Sequence, residues 1–163
     1  MDCLYLKKRG DKNLKFETNK ISIVNRRMTS EEIMRMNLGF DELSLKEGVE
    51  IESSDRFSFV ASKGNTFIGC SSGLAYKNGV DYSGWFFLTD LFVEKVYRSQ
   101  GLGTDLLKAI EEQTKSKGVK YIWLRTSGFE TLKFYQRHGY NQFTEMEYWY
   151  SDGSSRIGLR KNL

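Results

Sequence analysis

A short glycine-containing segment, Arg98-Ser99-Gln100-Gly101-Leu102-Gly103-Thr104, has the residue types and spacing that most clearly indicate chemistry. Its two glycines, two positions apart, allow the backbone to turn tightly and to come close to a ligand. An apolar stretch precedes the segment and helical spacing follows it, so free backbone amides would lie at a helix N-terminus, where anions bind. Arg98 adds a fixed positive charge. The segment therefore predicts a pyrophosphate-binding turn.

Two well-known phosphate-binding motifs are similar to this turn, but each requires residues that the turn lacks. A P-loop requires Gly-Lys-Ser/Thr, whereas Gly101-Leu102 is followed here by Gly103-Thr104-Asp105, without a lysine. A Rossmann fingerprint requires a third glycine or alanine where Leu106 stands, and it opens its domain, whereas several predicted antiparallel strands precede this turn. Arg125, near the end of the next predicted strand, would suit a 2′-phosphate. Binding of a nicotinamide dinucleotide therefore stays an alternative.

Hydrophobic spacing predicts the elements that hold this turn in place. The predicted strands lie within residues 11–25 and at residues 56–62, 66–76, 85–93, 119–125, 140–150 and 156–161. The predicted helices begin after the capping box Thr29-Ser30-Glu31-Glu32, at Leu102 with an end at Gly118, and at residues 130–138. Residues 38–54 fit either a second helix or a loop. The order of elements predicts an α/β fold with a mixed, mostly antiparallel central sheet and flanking helices. The strands at residues 85–93 and 119–125, which the helix beginning at Leu102 connects, are predicted to be parallel neighbours.

Length and composition restrict the class of protein. The 163 residues fit one core, so we predict that residues 1–163 form a single domain. The 25 basic and 21 acidic residues give a net charge of +4, too mild and dispersed for nucleic-acid binding but suited to a small anionic ligand. Without a long apolar run or a signal-like N-terminus, we expect a cytoplasmic protein that binds no membrane. Two cysteines and one histidine predict that no metal is bound.

Two motifs in the second half of the chain resemble those of the GNAT superfamily of N-acetyltransferases. Leu91-Phe92-Val93, a short spacer and Arg98-x-x-Gly101-x-Gly103 are similar to the acetyl-CoA motif of that family. Further downstream, Phe134-Tyr135-Gln136-Arg137-His138-Gly139-Tyr140 is similar to the family's F-Y-x-x-x-G-F segment. The resemblance is clear from about Trp85 to the C-terminus and weaker upstream. It implies the GNAT fold, with acetyl-CoA as cosubstrate.

The resemblance also implies a role for each matched residue. The strand edge at residues 91–93 would pair with the pantetheine arm, and one of its amides would polarise the acetyl carbonyl. The amides of residues 98–104 would hold the pyrophosphate. The acceptor amine would attack directly, without an acyl-enzyme, and Tyr135 would protonate the departing thiolate. The residues assigned in this way to acetyl-CoA are Leu91, Phe92, Val93, Arg98, Ser99, Gln100, Gly101, Leu102, Gly103, Thr104, Phe134 and Arg137.

Each candidate catalytic residue also has an ordinary structural interpretation. Tyr135 fits the buried face of a short amphipathic helix as well as the role of general acid. Asp90 fits either a hydrogen-bonded carboxylate at the sheet surface or a general base that takes the amine proton through water. The family's carboxylate often stands at the position of Thr89, and strand alternation predicts that Thr89 and Asp90 point to opposite faces. His138, beside Gly139, is predicted to cap helix carbonyls rather than to act as a base.

The sequence therefore predicts an acyltransferase that moves an acetyl group from acetyl-CoA to a primary amine, on a small molecule, through a tetrahedral intermediate. Acetylation of a protein N-terminus or lysine stays open, as do a catalytically inactive acyl-CoA-binding sensor and the formation of a homodimer. The acidic residues between positions 31 and 52 fit a solvated face or a negative rim that attracts a polycationic acceptor. No motif identifies the acceptor.

Overall fold

A computed structural model describes residues 16–18, 21–48 and 53–163 of the chain. The chain divides into two compact units, Met1–Glu47 and Gly48–Leu163. Within the described ranges, every helix is too short or too polar to cross a bilayer. The assignment of residues 1–163 to a single domain stays a prediction.

The first unit contains a short hairpin and one long helix. Strands β1 (Phe16–Thr18) and β2 (Ile21–Ile23) pair antiparallel, inside the region where one or two strands were predicted. Residues 11–15 and 19–20 of that region lie outside the described residues. Helix α1 spans Ser30–Lys46.

Helix α1 begins at the predicted capping box. The amide of Glu32 donates to Oγ1 of Thr29 at 3.2 Å, and the amide of Thr29 donates to Oε2 of Glu32 at 2.7 Å. The helix then continues to Lys46, so the first part of residues 38–54, which fitted either a second helix or a loop, belongs to this same helix. Gly39 is the only strong helix breaker in this stretch, and its cost of about 1 kcal/mol is too small to end a helix.

In its described residues, the second unit is built on a six-stranded sheet with two helices. Its strands are β3 (Ser53–Lys63), β4 (Thr66–Asn78), β5 (Asp81–Val93), β6 (Tyr121–Thr126), β7 (Asn141–Met146) and β8 (Arg156–Asn162). Its helices are α2 (Leu102–Ser116) and α3 (Phe129–Arg137), with a single 3-10 turn at Lys95–Tyr97. The predicted elements are confirmed apart from their ends. In particular, β5 starts earlier because Asp81 and Tyr82 pair with β4, and β7 stops at Met146 before a turn.

The order of strands in the sheet is β3-β4-β5-β6-β8-β7. All neighbours are antiparallel except β5 and β6, which are parallel and are joined by α2. The prediction of a mixed, mostly antiparallel sheet with flanking helices is therefore confirmed, as is the parallel pair. A parallel connection needs a long crossover, which is why the helix must follow the glycine turn.

The hydrophobic core of this unit lies between the sheet and its helices. It joins buried residues of α2 and α3 to inward-facing residues of the central strands: Phe86, Leu88, Leu107, Ile110, Ile122, Leu124, Tyr135, Tyr140 and Leu159. On β4, Oγ of the buried Ser71 donates to the carbonyl of Leu106 in α2 at 2.9 Å. These contacts fix the position of α2, and hence of the turn at its N-terminus, against the sheet.

A β-bulge in β5 opens the centre of the sheet. Ser72 pairs with Asp90 and Gly73 pairs with Leu88, which leaves Thr89 as the extra residue. A bulge bends its strand and increases the local twist. Strand β6 pairs with β5 only as far as Leu88. Within the described part of the chain, the edge of β5 after Leu88 that faces away from β4 therefore has no strand partner.

Glycine is required opposite the bulge. A Cβ added to Gly73 would lie 2.4 Å from the backbone oxygen of Phe87 and 2.4 Å from the ring of Phe86. Side chains do not tolerate such an approach, so any larger residue would push β4 and β5 apart.

Candidate active site

The turn before α2 presents backbone amides that no other group of the described residues uses. Ser99 has φ 60° and Gly101 has φ 90°, both in the left-handed region. Successive backbone amides turned in this way form a concave anion-binding surface. The amide of Arg98 donates to the carbonyl of Lys95, and that of Thr104 donates to the carbonyl of Gly101. This leaves the amides of residues 99–103 as the donors available to a ligand.

Side-chain contacts hold the turn against the end of β5. Nε of Arg98 donates to the carbonyl of Val93 at 2.8 Å, which fixes the guanidinium beside the strand. Its two terminal nitrogens take no part in this hydrogen bond. Nε2 of Gln100 donates to the carbonyl of Val96 at 3.0 Å. Gln100 therefore contributes to the shape of the turn through its side chain.

One cavity of about 630 Å³ connects the turn, the end of β5 and helix α3. It is lined by Leu91, Phe92, Val93, Arg98, Ser99, Gly101, Gly103, Thr104, Glu130, Thr131, Phe134, Tyr135 and Arg137. The predicted acetyl-CoA residues are thus brought together, with the exceptions of Gln100 and Leu102, whose side chains are not part of the lining. Sequence reasoning missed Glu130 and Thr131, for which the only signal was their place in the first turn of a helix that follows Gly128.

Tyr135 combines a buried ring with a hydroxyl that has no hydrogen-bond partner among the described residues. The residue is 7% exposed, and its ring packs edge-on against Phe134 and Tyr140 at centroid distances of 5.2 and 5.4 Å. Burial raises the pKa of the Tyr135 hydroxyl to about 12. No residue of the described ranges forms a hydrogen bond with this hydroxyl, although Tyr135 lines the cavity. A neutral phenol at this place can donate a proton to a group in the cavity.

His138 links α3 to the start of α2. Its Nδ1 lies 2.8 Å from the carbonyl oxygen of Phe134, and its Nε2 lies 3.0 Å from Oγ1 of Thr104. Because a carbonyl only accepts, Nδ1 carries a proton. The predicted capping of a helix carbonyl by His138 is confirmed.

Asp90 lies outside the cavity lining, on the strand that borders it. Its Oδ2 accepts a hydrogen bond from Oγ1 of Thr89 at 2.6 Å and lies 3.7 Å from Nη1 of Arg56. The prediction that Thr89 and Asp90 point to opposite faces is wrong, because the bulge at Thr89 interrupts the alternation of β5. Among the described residues, no group of three or more His, Cys, Asp or Glu side chains is placed to hold a metal ion.

In the described residues, the fold and this site define an α/β protein in which a turn with unpaired backbone amides lies beside an open sheet edge. The model of the acetyltransferase (GNAT) family matches residues 26–140, and the chain belongs to this family.

Known relatives agree with this assignment. The chain is 30% identical over 108 residues to an aminoglycoside N(6′)-acetyltransferase type 1 of Salmonella typhimurium, a match that covers 63% of this chain and 74% of that one. Matches to two further curated relatives span 43% and 66% of their lengths.

Solved structures show the same fold. An acetyltransferase from Bacillus cereus superposes with a TM-score of 0.69 at 23% identity, covering 85% of this chain and 96% of that one. An aminoglycoside 6′-N-acetyltransferase complexed with coenzyme A gives a TM-score of 0.57 at 18% identity, covering 66% of this chain and 72% of that one.

Proposed function

We propose that this chain transfers the acetyl group of acetyl-CoA to a primary amine of a small molecule. The observation that carries the proposal is that one cavity combines three features: unused amides at the start of α2, an open edge of β5 and the unpartnered hydroxyl of Tyr135. Each feature corresponds to a different part of acetyl-CoA or of its reaction. A site that bound only a phosphate group would need the unused amides alone.

The residues fit the chemical groups of CoA. The amides of residues 99–103, the dipole of α2 and the guanidinium groups of Arg98 and Arg137 suit the pyrophosphate. The open edge of β5 offers backbone groups to the amides of the pantetheine arm, as an added strand would use them. Gly103 leaves its side of the cavity free, since a Cβ there would lie 3.8 Å from Phe134 and Val93.

Acetyl-CoA supplies a thioester whose carbonyl carbon is open to attack. The acceptor nitrogen forms a bond to that carbon, and the carbon–sulfur bond breaks as the tetrahedral carbon collapses. The hydroxyl of Tyr135 gives its proton to the departing sulfur and regains one from solvent. The extra proton on the acceptor nitrogen passes through water to Asp90, which then releases it to solvent. This balance leaves an amide, free CoA and an unchanged protein.

Ligand-dependent thermal stability and thiol release test the proposal together. CoA at about 100 times its dissociation constant should stabilise the fold by roughly 2.7 kcal/mol. For a protein of this length that corresponds to an increase in Tm of about 5–10 °C. NAD and NADP should give much smaller increases, and release of free CoA should depend on an added amine. A larger increase with NADP than with acetyl-CoA would contradict the proposal.

The same thiol-release assay separates the alternatives. Peptides with a free N-terminus or a lysine replace the small amines in one arm, and turnover restricted to them would move the acceptor to proteins. Binding of CoA without turnover on any amine would indicate a sensor. The unpartnered hydroxyl of Tyr135 favours an enzyme, because a sensor has no use for it. We place the activity in the cytoplasm, whose reducing conditions suit the free thiol of Cys70.

A further inference from the structure

A cluster of polar side chains lies at the centre of the sheet. Nη1 of Arg56 donates hydrogen bonds to Oγ of Ser72 at 2.9 Å and to Oγ1 of Thr89 at 3.2 Å. The hydroxyls of Ser58 and Ser72 are hydrogen-bonded at 2.8 Å, and Thr89 is hydrogen-bonded to Asp90. These residues of β3, β4 and β5 are called the Arg56 cluster below.

The Arg56 cluster lies on the face of the sheet opposite α2. Phe57 and Phe59, which alternate with the cluster residues of β3, pack against the hydrophobic core. On β4, Ser71 donates to the carbonyl of Leu106 in α2, so the next residue of that strand points away from the helix. Since side chains alternate between the two faces of a strand, Arg56 and its partners occupy the other face.

The cluster reaches the place where acetyl transfer would occur. Asp90 directly precedes Leu91, which lines the cavity, and both follow Leu88, the last residue of β5 that pairs with β6. An acceptor bound on this face would therefore meet the open edge of β5 from the side opposite the turn before α2. This step rests on the proposed function.

Two opposite charges of the cluster are accessible to a ligand. Nη1 of Arg56 lies 3.7 Å from Oδ2 of Asp90, and the two side chains are 52% and 58% exposed. Within the described part of the chain, Nε and Nη2 of Arg56 donate no hydrogen bond. The guanidinium therefore retains a planar pair of donors that matches a carboxylate. The carboxylate of Asp90 matches an ammonium group.

The neighbouring surface of this face is aromatic and carries a second guanidinium. Phe87, which lies between the core residues Phe86 and Leu88, points away from the core and stacks on Trp123 at a centroid distance of 4.1 Å. The guanidinium of Arg125 lies 5.0 Å from the centre of the Phe87 ring. A polycationic acceptor would be repelled by both guanidinium groups, whereas an amine that carries one negative group would not.

We propose that this face selects an acceptor with a carboxylate close to its reacting amine, as in a free amino acid. Arg56 binds the carboxylate and is a specificity-determining residue. Asp90 lies beside the amine, and the pair of Phe87 and Trp123 provides an apolar floor for the rest of the acceptor.

Matched acceptors test the role of Arg56. Free amino acids, beginning with phenylalanine, are compared with their carboxamides and with an aminoglycoside, and kcat/KM is measured by thiol release. Wild type should prefer each acid to its amide by about 10-fold or more. Arg56→Gln should lower kcat/KM for the acids by about 10- to 100-fold, the effect of losing a charge-assisted pair of hydrogen bonds. The amides should change less than about threefold.

Three controls make the outcome specific. Arg56→Lys keeps the charge but not the planar fork, so it should fall between wild type and Arg56→Gln in its preference for acids. Arg156→Gln removes the same charge from a residue that stacks on Trp149, and it should leave the preference unchanged. CoA-induced stabilisation of each variant verifies that it is folded.

The outcomes separate the two proposals. Acetylation of amides or aminoglycosides in preference to acids overturns the acceptor inference and leaves the proposed function standing. An equal loss for acids and amides in a folded Arg56→Gln variant also overturns it, because Arg56 would then only support Asp90. CoA binding without turnover on any acceptor overturns both.

Discussion

Thr89 donates a hydrogen bond of 2.6 Å to Oδ2 of its neighbour Asp90, although the two residues are adjacent on one strand. Only a break in the alternation of β5 allows this contact, and the bulge at Thr89 provides it. The same hydroxyl accepts from Nη1 of Arg56 at 3.2 Å. Thr89 therefore connects the candidate base to a cationic residue of another strand.

Thr89→Val tests this connection. The substitution keeps the β-branched shape but removes the donor to Asp90 and the acceptor for Arg56. We expect the rate of acetyl transfer to fall by about 10-fold, a fraction of the usual contribution of a general base. The unfolding free energy should fall by about 1 kcal/mol. Steady-state thiol release and urea denaturation measure the two effects, and Thr89→Ser, which keeps the hydroxyl, serves as the control.

Asp90→Asn is the companion of that experiment. If Asp90 takes the amine proton through water, the amide variant should lower kcat by about 100-fold while the affinity for CoA hardly changes. Wild-type turnover by this variant would mean that Asp90 is not the base, and Thr89→Val would then report on the binding of the acceptor instead.

Tyr135→Phe should affect catalysis without affecting stability. The Tyr135 hydroxyl has no hydrogen-bond partner in the described residues, so its removal leaves no buried group unpaired, and the unfolding free energy should change by less than about 0.5 kcal/mol. If Tyr135 is the general acid, kcat should fall by about 100-fold or more while the affinity for CoA hardly changes. Wild-type turnover by the Phe variant would rule out this role, provided that chemistry limits the rate.

Alkaline pH should destabilise the second unit through its buried tyrosines. Burial raises the pKa of Tyr135 from 10.0 to about 12, and burial together with Glu111 raises that of Tyr140. Because the folded state keeps the tyrosine proton to a higher pH than the unfolded state, this contribution to stability is fully present below pH 10, the pKa in the unfolded state. For Tyr135 it is lost as the pH rises from 10 to 12. Each tyrosine contributes up to about 1.4 kcal/mol per pH unit.

Urea denaturation followed by tryptophan fluorescence measures this loss, since the three tryptophans all lie in the second unit. Tyr135→Phe should show a shallower decline in unfolding free energy above pH 10 than wild type. If the unfolding free energies of the two proteins declined in parallel, Tyr135 would have the same pKa in the folded and the unfolded state.

Gly103→Val should prevent CoA binding in a folded protein. A Cβ at this position meets only ordinary contacts, at 3.8 Å from Phe134 and Val93. Valine also costs slightly less than glycine inside a helix, so stability should not fall. Its two methyl groups would occupy the space that a pyrophosphate needs beside the amides. An unchanged CoA-induced shift in Tm would exclude this turn as the phosphate site, and Gly39→Ala in α1 is the matched glycine control.

The sequence by itself determined the elements and the family. Capping at Thr29, the glycine turn before α2 and the parallel pair of β5 and β6 all follow from patterns within short stretches of chain. The placement of Tyr135 beside that turn was implied by two motifs in order. These features are local, or they depend on a single crossover, so residue spacing is enough to predict them.

Only the tertiary structure decided how the strands meet and which groups remain unpaired. The bulge at Thr89 depends on the register between β4 and β5, where Gly73 faces backbone that admits no Cβ. Arg56 joins Thr89 across 33 positions of sequence, a contact that no pattern within one strand predicts. The free hydroxyl of Tyr135 depends on every neighbour that could have bonded it. Periodicity specifies which face a side chain takes, whereas pairing between distant segments decides what it touches there.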